Sequence, residues 1–219
     1  ALGECNFSDH GANRLGASAL MQGLSDGYFV IPYTMQNYLS DQIQVPHIDT
    51  KAPEFDAAEK AVQAEIDRIY NIKGDESVDH IHKKLYHIMW DYVGMARNEA
   101  GLKKALAMLK DIRKEFNEHV RIPGDKEGLN VELDKAIHLR DFITMGELIA
   151  YDALERKESC GGHFREESQT EEGEAKRDDE NFMYVACWQY QGSDDVAPTL
   201  LKEPLDYQYI KVQVRNYKK

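Results

Sequence analysis

Near the start of the chain, small residues crowd around one arginine: His10-Gly11-Ala12-Asn13-Arg14-Leu15-Gly16-Ala17-Ser18-Ala19-Leu20. Glycine and alanine leave room for a ligand to reach the backbone. The run then becomes a helix, whose first N–H groups and positive dipole end suit an anion. Arg14 adds a planar, permanently charged fork that matches a carboxylate or a phosphate. By residue type alone, an arginine before a helix is more often a surface residue than a ligand. A second polar group lies far downstream, Arg156-Lys157-Glu158-Ser159-Cys160-Gly161-Gly162-His163-Phe164-Arg165, followed by Arg177-Asp178-Asp179-Glu180-Asn181-Phe182. There Gly161-Gly162 permits a tight turn after a helix, with His163 and Arg165 available to satisfy carbonyls.

Other reactive residue types carry less. His80, His82 and His87 fall on one helix, but only His80 and His87 share a face, and no carboxylate stands at ligand spacing; a solvated helix side is the expectation. Asp178-Asp179-Glu180 has the chemistry of a hard-cation site, yet a loop or a helix start before Asn181 explains it more simply. Cys5, Cys160 and Cys187 are odd in number, widely spaced and without a C-x-x-C pair. That argues against a disulfide framework and a structural zinc site, and fits a reducing cytosolic compartment. Cys5 and Cys187 are expected as small buried hydrophobes. No metal site is expected.

The 219 residues carry 39 acidic against 27 basic side chains, a net charge of -12. Nucleic-acid binding is therefore excluded, since it needs clustered lysine and arginine, and a membrane-surface role is disfavoured for the same reason. No apolar run approaches the roughly 20 residues of a spanning helix. A hydrophobic fraction of 42% is enough for one or two modest cores.

The periodicity predicts the elements that must position these groups. Ala17 to Tyr28 reads as a helix interrupted near Gly23 and Gly27, and Ile31-Pro32 begins a second one. Pro53 opens a longer helix with Ala58, Val62, Ile66 and Ile69 on its apolar stripe. Asp75 or Ser77 caps the next, which carries Val78, Ile81, Leu85, Ile88, Tyr92 and Met95. Leu102, Leu106, Leu109, Ile112, Phe116 and Val120 mark another, and Ile122-Pro123-Gly124-Asp125 is a stop. A further helix spans about Val131 to Lys157, with Leu133, Ile137, Leu148 and Leu154 inward. Short connections favour antiparallel neighbours. Residues 166 to 180 form a charged exposed loop. Phe182 to Tyr190 reads as a strand, 191 to 198 as a turn, and Tyr207 to Arg215 as the partner strand. The fold class is mainly α: an antiparallel, spectrin-like three-helix bundle with a C-terminal β-hairpin extension.

Gly3-Glu4-Cys5 followed by His10 to Gly16 resembles the flavin-binding segment of succinate dehydrogenase/fumarate reductase flavoprotein subunits. The two downstream segments are similar to that family's "ERxESRGAHxR" and "RDDENW" blocks. The resemblance covers essentially the whole chain, but only the C-terminal third or so of such a subunit. Nothing reads as a strand entering a G-x-G-x-x-G turn. The chain is thus expected to be a piece of a longer protein. Residues 1–50 would be a helical remnant of the FAD-binding domain, 51–160 the helical bundle, and 161–219 the acidic loop and hairpin.

In the family the flavin-carrying histidine and the proton-shuttling arginine lie upstream, so no catalytic residue is expected here. The resemblance implies that Arg14 clamps a substrate carboxylate. It also implies that Glu4 contacts FAD and that the backbone of Ala19 and Leu20 faces the flavin ring. Ser18-Ala19-Leu20 stands where the family has "NSL", losing a hydroxyl, and Cys160 replaces an arginine. The turn at Gly161-Gly162 would pack against the flavin site or the iron–sulfur subunit. The whole protein would interconvert succinate and fumarate with FAD, with roles in the tricarboxylic acid cycle and electron transport. It would pass electrons to an iron–sulfur subunit seated on a membrane cytochrome. It would lie on the cytoplasmic face of the plasma membrane, held there by those partners. The piece alone is expected to be inactive, to retain no FAD and to self-associate. The alternatives are a non-catalytic helical scaffold, or the corresponding part of L-aspartate oxidase.

Overall fold

The computed structural model describes residues 2–6, 16–209 and 211–213, with the side chains of Cys5 and Asn6 excepted. The chain divides into two compact units, residues 1–71 with 160–162, and residues 72–159 with 163–219.

In the first unit a 3₁₀ turn, Gly3–Asn6, precedes α1 (Ser18–Ser25). Helical backbone continues from α1 through a π-helical turn (Asp26–Val30), α2 (Ile31–Tyr33) and a second π-helical turn (Thr34–Tyr38). The expected interruption at Gly27 and fresh start at Ile31 are therefore replaced by one uninterrupted run. Pro32 explains the form of the first π-helical turn. Proline has no N–H and its ring crowds the carbonyl four residues back, and a wider coil relieves both. The Ile31 N–H accordingly reaches back five residues to Asp26 O; the second turn ends likewise, with the Leu39 N–H on Thr34 O. α3 (Pro53–Tyr70) starts where expected, with proline in its first turn, Glu54 and Asp56 beside it and Arg68 in the last turn, as the dipole prefers. Its stripe is only partly used: Ala58 and Val62 are exposed, Ile66 is half-buried and Ile69 is buried.

The second unit is the bundle. A two-residue strand β1 (Glu76–Ser77) leads into α4 (Val78–Val93), where the Ser77 side chain caps the helix by accepting from the His80 N–H at 3.2 Å. α5 (Glu99–His119) is capped by Asn98 and runs into β2 (Val120–Arg121). β1 and β2 pair in parallel, Glu76 opposite Val120, which puts the start of α4 beside the end of α5. α6 (Val131–Glu155) is capped by Asn130, whose side chain accepts from the N–H groups of Glu132 and Leu133. All three helices pack on one another in the expected antiparallel order.

Val78, Ile81, Leu85 and Ile88 of α4 and Leu102, Leu109, Ile112 and Phe116 of α5 are buried as their spacing requires. Met95 is exposed because α4 ends at Val93, which takes the buried place. The inward face of α6 is corrected. Leu133 is buried, but Ile137, Leu148 and Leu154 are half-buried, and Ala136, Leu139, Ile143, Gly146, Ala150 and Ala153 form the core stripe. Small residues let the helix come close. A Cβ built on Gly146 would stand 3.1 Å from Met89 Sδ, 3.6 Å from Leu109 Cδ2 and 3.7 Å from Leu85 Cδ1. Arg113 also lies on the buried side of α5. Its guanidinium pairs with Glu147 at 2.6 Å, donates to Thr144 Oγ1 at 3.3 Å and reaches Asp194 Oδ2 at 2.9 Å.

Beyond the bundle, α7 (Asp179–Phe182) is a single turn capped by the Asp178 carboxylate, and β3 (Tyr184–Gln189) follows. Its antiparallel partner is β4 (Thr199–Pro204), in register Tyr184 opposite Pro204 and Gln189 opposite Thr199. The expected partner, Tyr207 to Arg215, is overturned: its described residues 207–209 and 211–213 are not in a strand. The first extended segment after the turn pairs because closing the shorter loop costs less entropy. β3 is itself anchored on α6 by Trp188 Nε1–H, which donates to Asp152 Oδ1 at 2.9 Å.

Two substitutions test this core by urea unfolding of the chain. Leu109→Ala should lose about 2–5 kcal/mol by leaving a cavity. Gly146→Leu should lose about 1–3 kcal/mol by forcing α4, α5 and α6 apart. A Gly146→Leu chain as stable as the parent would show that the helices are not in close contact there.

Candidate functional site

Arg14, the residue with the sharpest chemistry, lies outside the described residues. The groups around it in sequence are described. Glu4 sits on the 3₁₀ turn with its side chain exposed. That turn is fastened to the helix: the Gly3 N–H donates to Asp26 Oδ2 at 2.8 Å, and Gln22 Nε2–H donates to Gly3 O at 3.4 Å. Gly3 has φ +63, in the region that favours glycine. Ala17 enters α1 with φ +64 and offers no side-chain cap. The first main-chain bond of the helix runs from the Met21 N–H to Ala17 O at 3.2 Å. The N–H groups of Ala19 and Leu20 thus precede the first intrahelical bond and have no acceptor within the helix. They sit at its positive end. Ala19 is half-buried and Leu20 is 72% exposed.

The downstream segments form a second construction, at the end of the bundle where α4 and α6 both terminate. Here two arginines meet the last carbonyls of two helices. Arg165, buried to 2% exposure, donates from Nη1 to Ala153 O at 2.9 Å and to Leu154 O at 3.3 Å. Arg97 donates from Nε to Val93 O at 3.0 Å and to Gly94 O at 3.1 Å. The backbone joins them, since the Arg97 N–H donates to Phe164 O and the Glu166 N–H to Arg97 O. The Ser159 hydroxyl accepts from the Arg165 N–H at 2.8 Å and donates to Arg165 O at 3.2 Å. Gly161, at φ +60, makes the turn. The carbonyl-satisfying reading of His163 and Arg165 is the one observed.

Arg156 and Glu158 complete this region. Arg156 Nη1 pairs with Glu158 Oε1 at 2.8 Å and donates to Phe182 O at 3.0 Å, and its guanidinium lies 5.0 Å from the Tyr184 ring centre. Glu158, only 3% exposed, accepts the Asp178 N–H on its other oxygen at 2.8 Å. One ion pair thus links the two downstream segments. Sequence reasoning missed Arg97, Arg113 and Glu158 as organising residues. The available signal was a charged residue in a buried register: Arg113 falls four residues after Leu109 and three before Phe116.

His163 bridges the two capping systems. Its Nδ1 is 2.9 Å from Arg97 Nη1 and its Nε2 is 2.8 Å from Arg156 O. A guanidinium only donates, so Nδ1 must accept and Nε2–H must donate to the carbonyl. The neutral imidazole is therefore the form that fits. Burial lowers its pKa below the ordinary 6.5, and the charges of Arg97 and Arg165 add to this, while the Arg156 carbonyl and Asp152 oppose it.

The remaining candidates are ordinary. Among the described residues no group of histidine, cysteine and carboxylate side chains is placed to hold a metal. His80 lies 3.7 Å from Glu76, and His82 packs on the Phe142 ring. Asp178 caps α7, and Asp179 pairs with Arg177 at 2.5 Å. Cys160 is half-buried and Cys187 is exposed, which corrects the expectation of a buried Cys187. It lies on a two-stranded hairpin, too thin to bury both faces of β3. Cys5 lies outside the described side chains. Among the described residues no helix is long and apolar enough to cross a membrane.

Residues 82–217 match the family model of the fumarate reductase flavoprotein C-terminal region. The chain belongs to that family. Members and relatives of this flavoprotein family show its range. An uncharacterized FAD-dependent oxidoreductase of Methanocaldococcus jannaschii is 33% identical over 175 residues, 76% of this chain and 28% of the relative. The fumarate reductase flavoprotein subunit of Haemophilus influenzae is 27% identical over 184 residues, 84% of this chain and 28% of the relative. The L-aspartate oxidase of Yersinia pestis is 27% identical over 75% of this chain and 27% of that protein. Among solved structures, a mutant FrdA of E. coli quinol fumarate reductase superposes with a TM-score of 0.73 and 26% identity, covering 96% of this chain and 34% of that one. The chain thus spans under a third of the length of the curated relatives it matches.

The histidine contact has a pH consequence. The unfolded chain takes a proton on His163 near pH 6.5, which the folded form resists. This contribution to stability is intact above pH 6.5 and is lost as pH falls through the depressed folded pKa. In His163→Gln the amide oxygen can accept from Arg97 and the N–H can donate to Arg156 O. Urea unfolding between pH 7.5 and 5 should therefore show a shallower loss of stability on acidification in the variant than in the parent. Equal slopes would mean that His163 is not held neutral.

Proposed function

We propose that the full-length polypeptide containing this chain is the flavoprotein subunit of a succinate dehydrogenase or fumarate reductase, interconverting succinate and fumarate. The observation that carries the reading is the match to FrdA over 96% of the chain at 26% identity. That coverage takes in the N-terminal segment as well as the bundle. Residues 1–50 would then be the end of the FAD-binding domain, 51–160 the helical domain and 161–219 its extension.

The described residues suit a flavin. The N–H groups of Ala19 and Leu20 have no acceptor in the helix, sit at its positive end, and are flanked by Gly16, where an added Cβ would meet none of the described residues within 4 Å. An acceptor-rich, partly anionic ring edge fits that surface. FAD, when bound, supplies the hydride-accepting and hydride-donating chemistry. The Ala19 and Leu20 N–H groups would stabilise negative charge on the ring, and the exposed Glu4 carboxylate would accept from a cofactor hydroxyl. Arg14 would hold one carboxylate of the substrate through two parallel hydrogen bonds, a geometry lysine cannot reproduce. The remaining groups of the reaction would come from the part of the protein outside this chain.

On this reading the electrons leave through an iron–sulfur subunit and a membrane cytochrome subunit, and the complex lies at the cytoplasmic face of the plasma membrane. L-aspartate oxidase is the second reading, supported by the 27% identity to the Yersinia pestis enzyme. A role as a helical scaffold describes the isolated 219 residues rather than the whole protein.

The full-length protein should be yellow with bound flavin and the 219-residue chain colourless. Succinate-dependent dye reduction should separate the two enzymes, since an L-aspartate oxidase would instead turn over aspartate. Arg14→Ala in the full-length protein should lower kcat/KM for the dicarboxylate about 10²–10⁴-fold, the loss expected for one partner of a buried charge pair. Flavin content should be unchanged. Near-normal turnover would remove Arg14 from the substrate site.

A further inference from the structure

We propose that Asp26, acting with Gln22 on Gly3, is a positioning clamp that fixes the Glu4 turn against α1 and so sets the flavin-facing geometry at this end of the chain. The inference rests on the flavoprotein reading above. Both backbone groups of Gly3 are held from one helix: its N–H by Asp26 Oδ2 at 2.8 Å and its carbonyl by Gln22 Nε2–H at 3.4 Å. Gln22 and Asp26 are four residues apart and share a helix face. The acceptor is a carboxylate, so the shorter of the two bonds is charge-assisted.

The close approach is made at Gly3. Gly3 is buried at φ +63, and a Cβ built on it would stand 3.4 Å from the Gly23 Cα. Asp26 is also the first residue of the π-helical turn, and its carbonyl takes the Ile31 N–H. Its backbone therefore belongs to the continuous helical run while its side chain reaches the turn.

The placement explains what is held. Glu4 is the next residue after the clamped glycine. Ala19 and Leu20 lie on the first turn of the same helix, just before Gln22. A rigid helix and two hydrogen bonds thus fix the Glu4 backbone relative to the Ala19 and Leu20 N–H groups. Arg14 falls in the sequence between these two anchored ends. The Asp26 carboxylate accepts from the Gly3 N–H, so through this bond its action on Glu4, Ala19 and Leu20 is indirect.

The test uses the full-length protein. Asp26→Ala removes the acceptor and Asp26→Asn keeps one. In protein whose upstream flavin-carrying histidine is replaced, so that the flavin binds reversibly, titration of apoprotein with FAD, followed by quenching of flavin fluorescence, should give a Kd about tenfold higher for Asp26→Ala, as expected for one lost charge-assisted hydrogen bond. The value for Asp26→Asn should lie between the two, about threefold above the parent, because a neutral acceptor makes roughly half as strong a bond. The visible absorption band of the bound flavin should shift in the alanine variant and not in the asparagine variant. If Asp26→Ala does not fold, Gly3→Ala strains the same turn while leaving Asp26 in place, and the same weakening is expected. Parental Kd and spectrum in the alanine variant, or in Gly3→Ala where that replaces it, would overturn the clamp, as would equal weakening by alanine and asparagine. A parent apoprotein that binds no FAD would instead overturn the flavoprotein reading, and the clamp with it.

Discussion

The carbonyls that end α4 and α6 leave the bundle at the same end, close to one another, and no helical turn follows to satisfy them. Water could solvate them, but here two arginines do, and Arg165 does so from a buried position. A buried guanidinium tolerates no vacancy among its donors, because each unmet group carries a desolvation cost of about 1–3 kcal/mol or more. The turn from Arg156 to Glu166 therefore has little freedom. Ser159 braces the Arg165 backbone, His163 joins Arg97 to Arg156, and Glu158 ties the turn to the residues before the hairpin. This polar segment is, within the chain, the device that closes the bundle.

That closure lets the helices approach closely. The α4 and α5 faces are built from large aliphatic and aromatic side chains, and α6 answers them with alanine and glycine at the same spacing. Large against small is how packed layers interdigitate without voids. Arg113 and Glu147 form a second polar clasp in the same unit, reaching the hairpin turn through Asp194. Such a pair is weak evidence for stability, because desolvation opposes the attraction. Its geometric effect is plainer: it ties α5, α6 and the turn between β3 and β4 to one guanidinium.

The N-terminal unit follows a different logic. Its helical run from α1 to the second π-helical turn leaves Leu20, Leu24, Tyr28, Phe29, Tyr33 and Tyr38 exposed. A surface of that composition is normally a covered one. At the start of the same helix, Ala17 gives no side-chain cap and the Gly3–Asn6 turn is fastened to Gln22 and Asp26.

Local rules in the sequence were enough for the helices. Pro53 with acids beside it, Ser77 before an apolar stripe, and the Ile122-Pro123-Gly124-Asp125 stop each act within a few residues, so element order and the three-helix arrangement were legible. The motifs around Arg14 and Arg156 were equally legible as a family signature. Other features depend on atoms distant in the chain. Which face of α6 turns inward was set by how closely α4 and α5 allow a helix to approach, which favours Gly146 over the larger Leu148. The partner of β3 was set by loop closure and by the anchor of Trp188 on Asp152, not by the alternation at Tyr207 to Val214. The charge state of His163 and the hold of Asp26 on Gly3 arise only when residues 66 and 23 positions apart meet. Spacing along a chain specifies what one element can present; only packing decides what it meets.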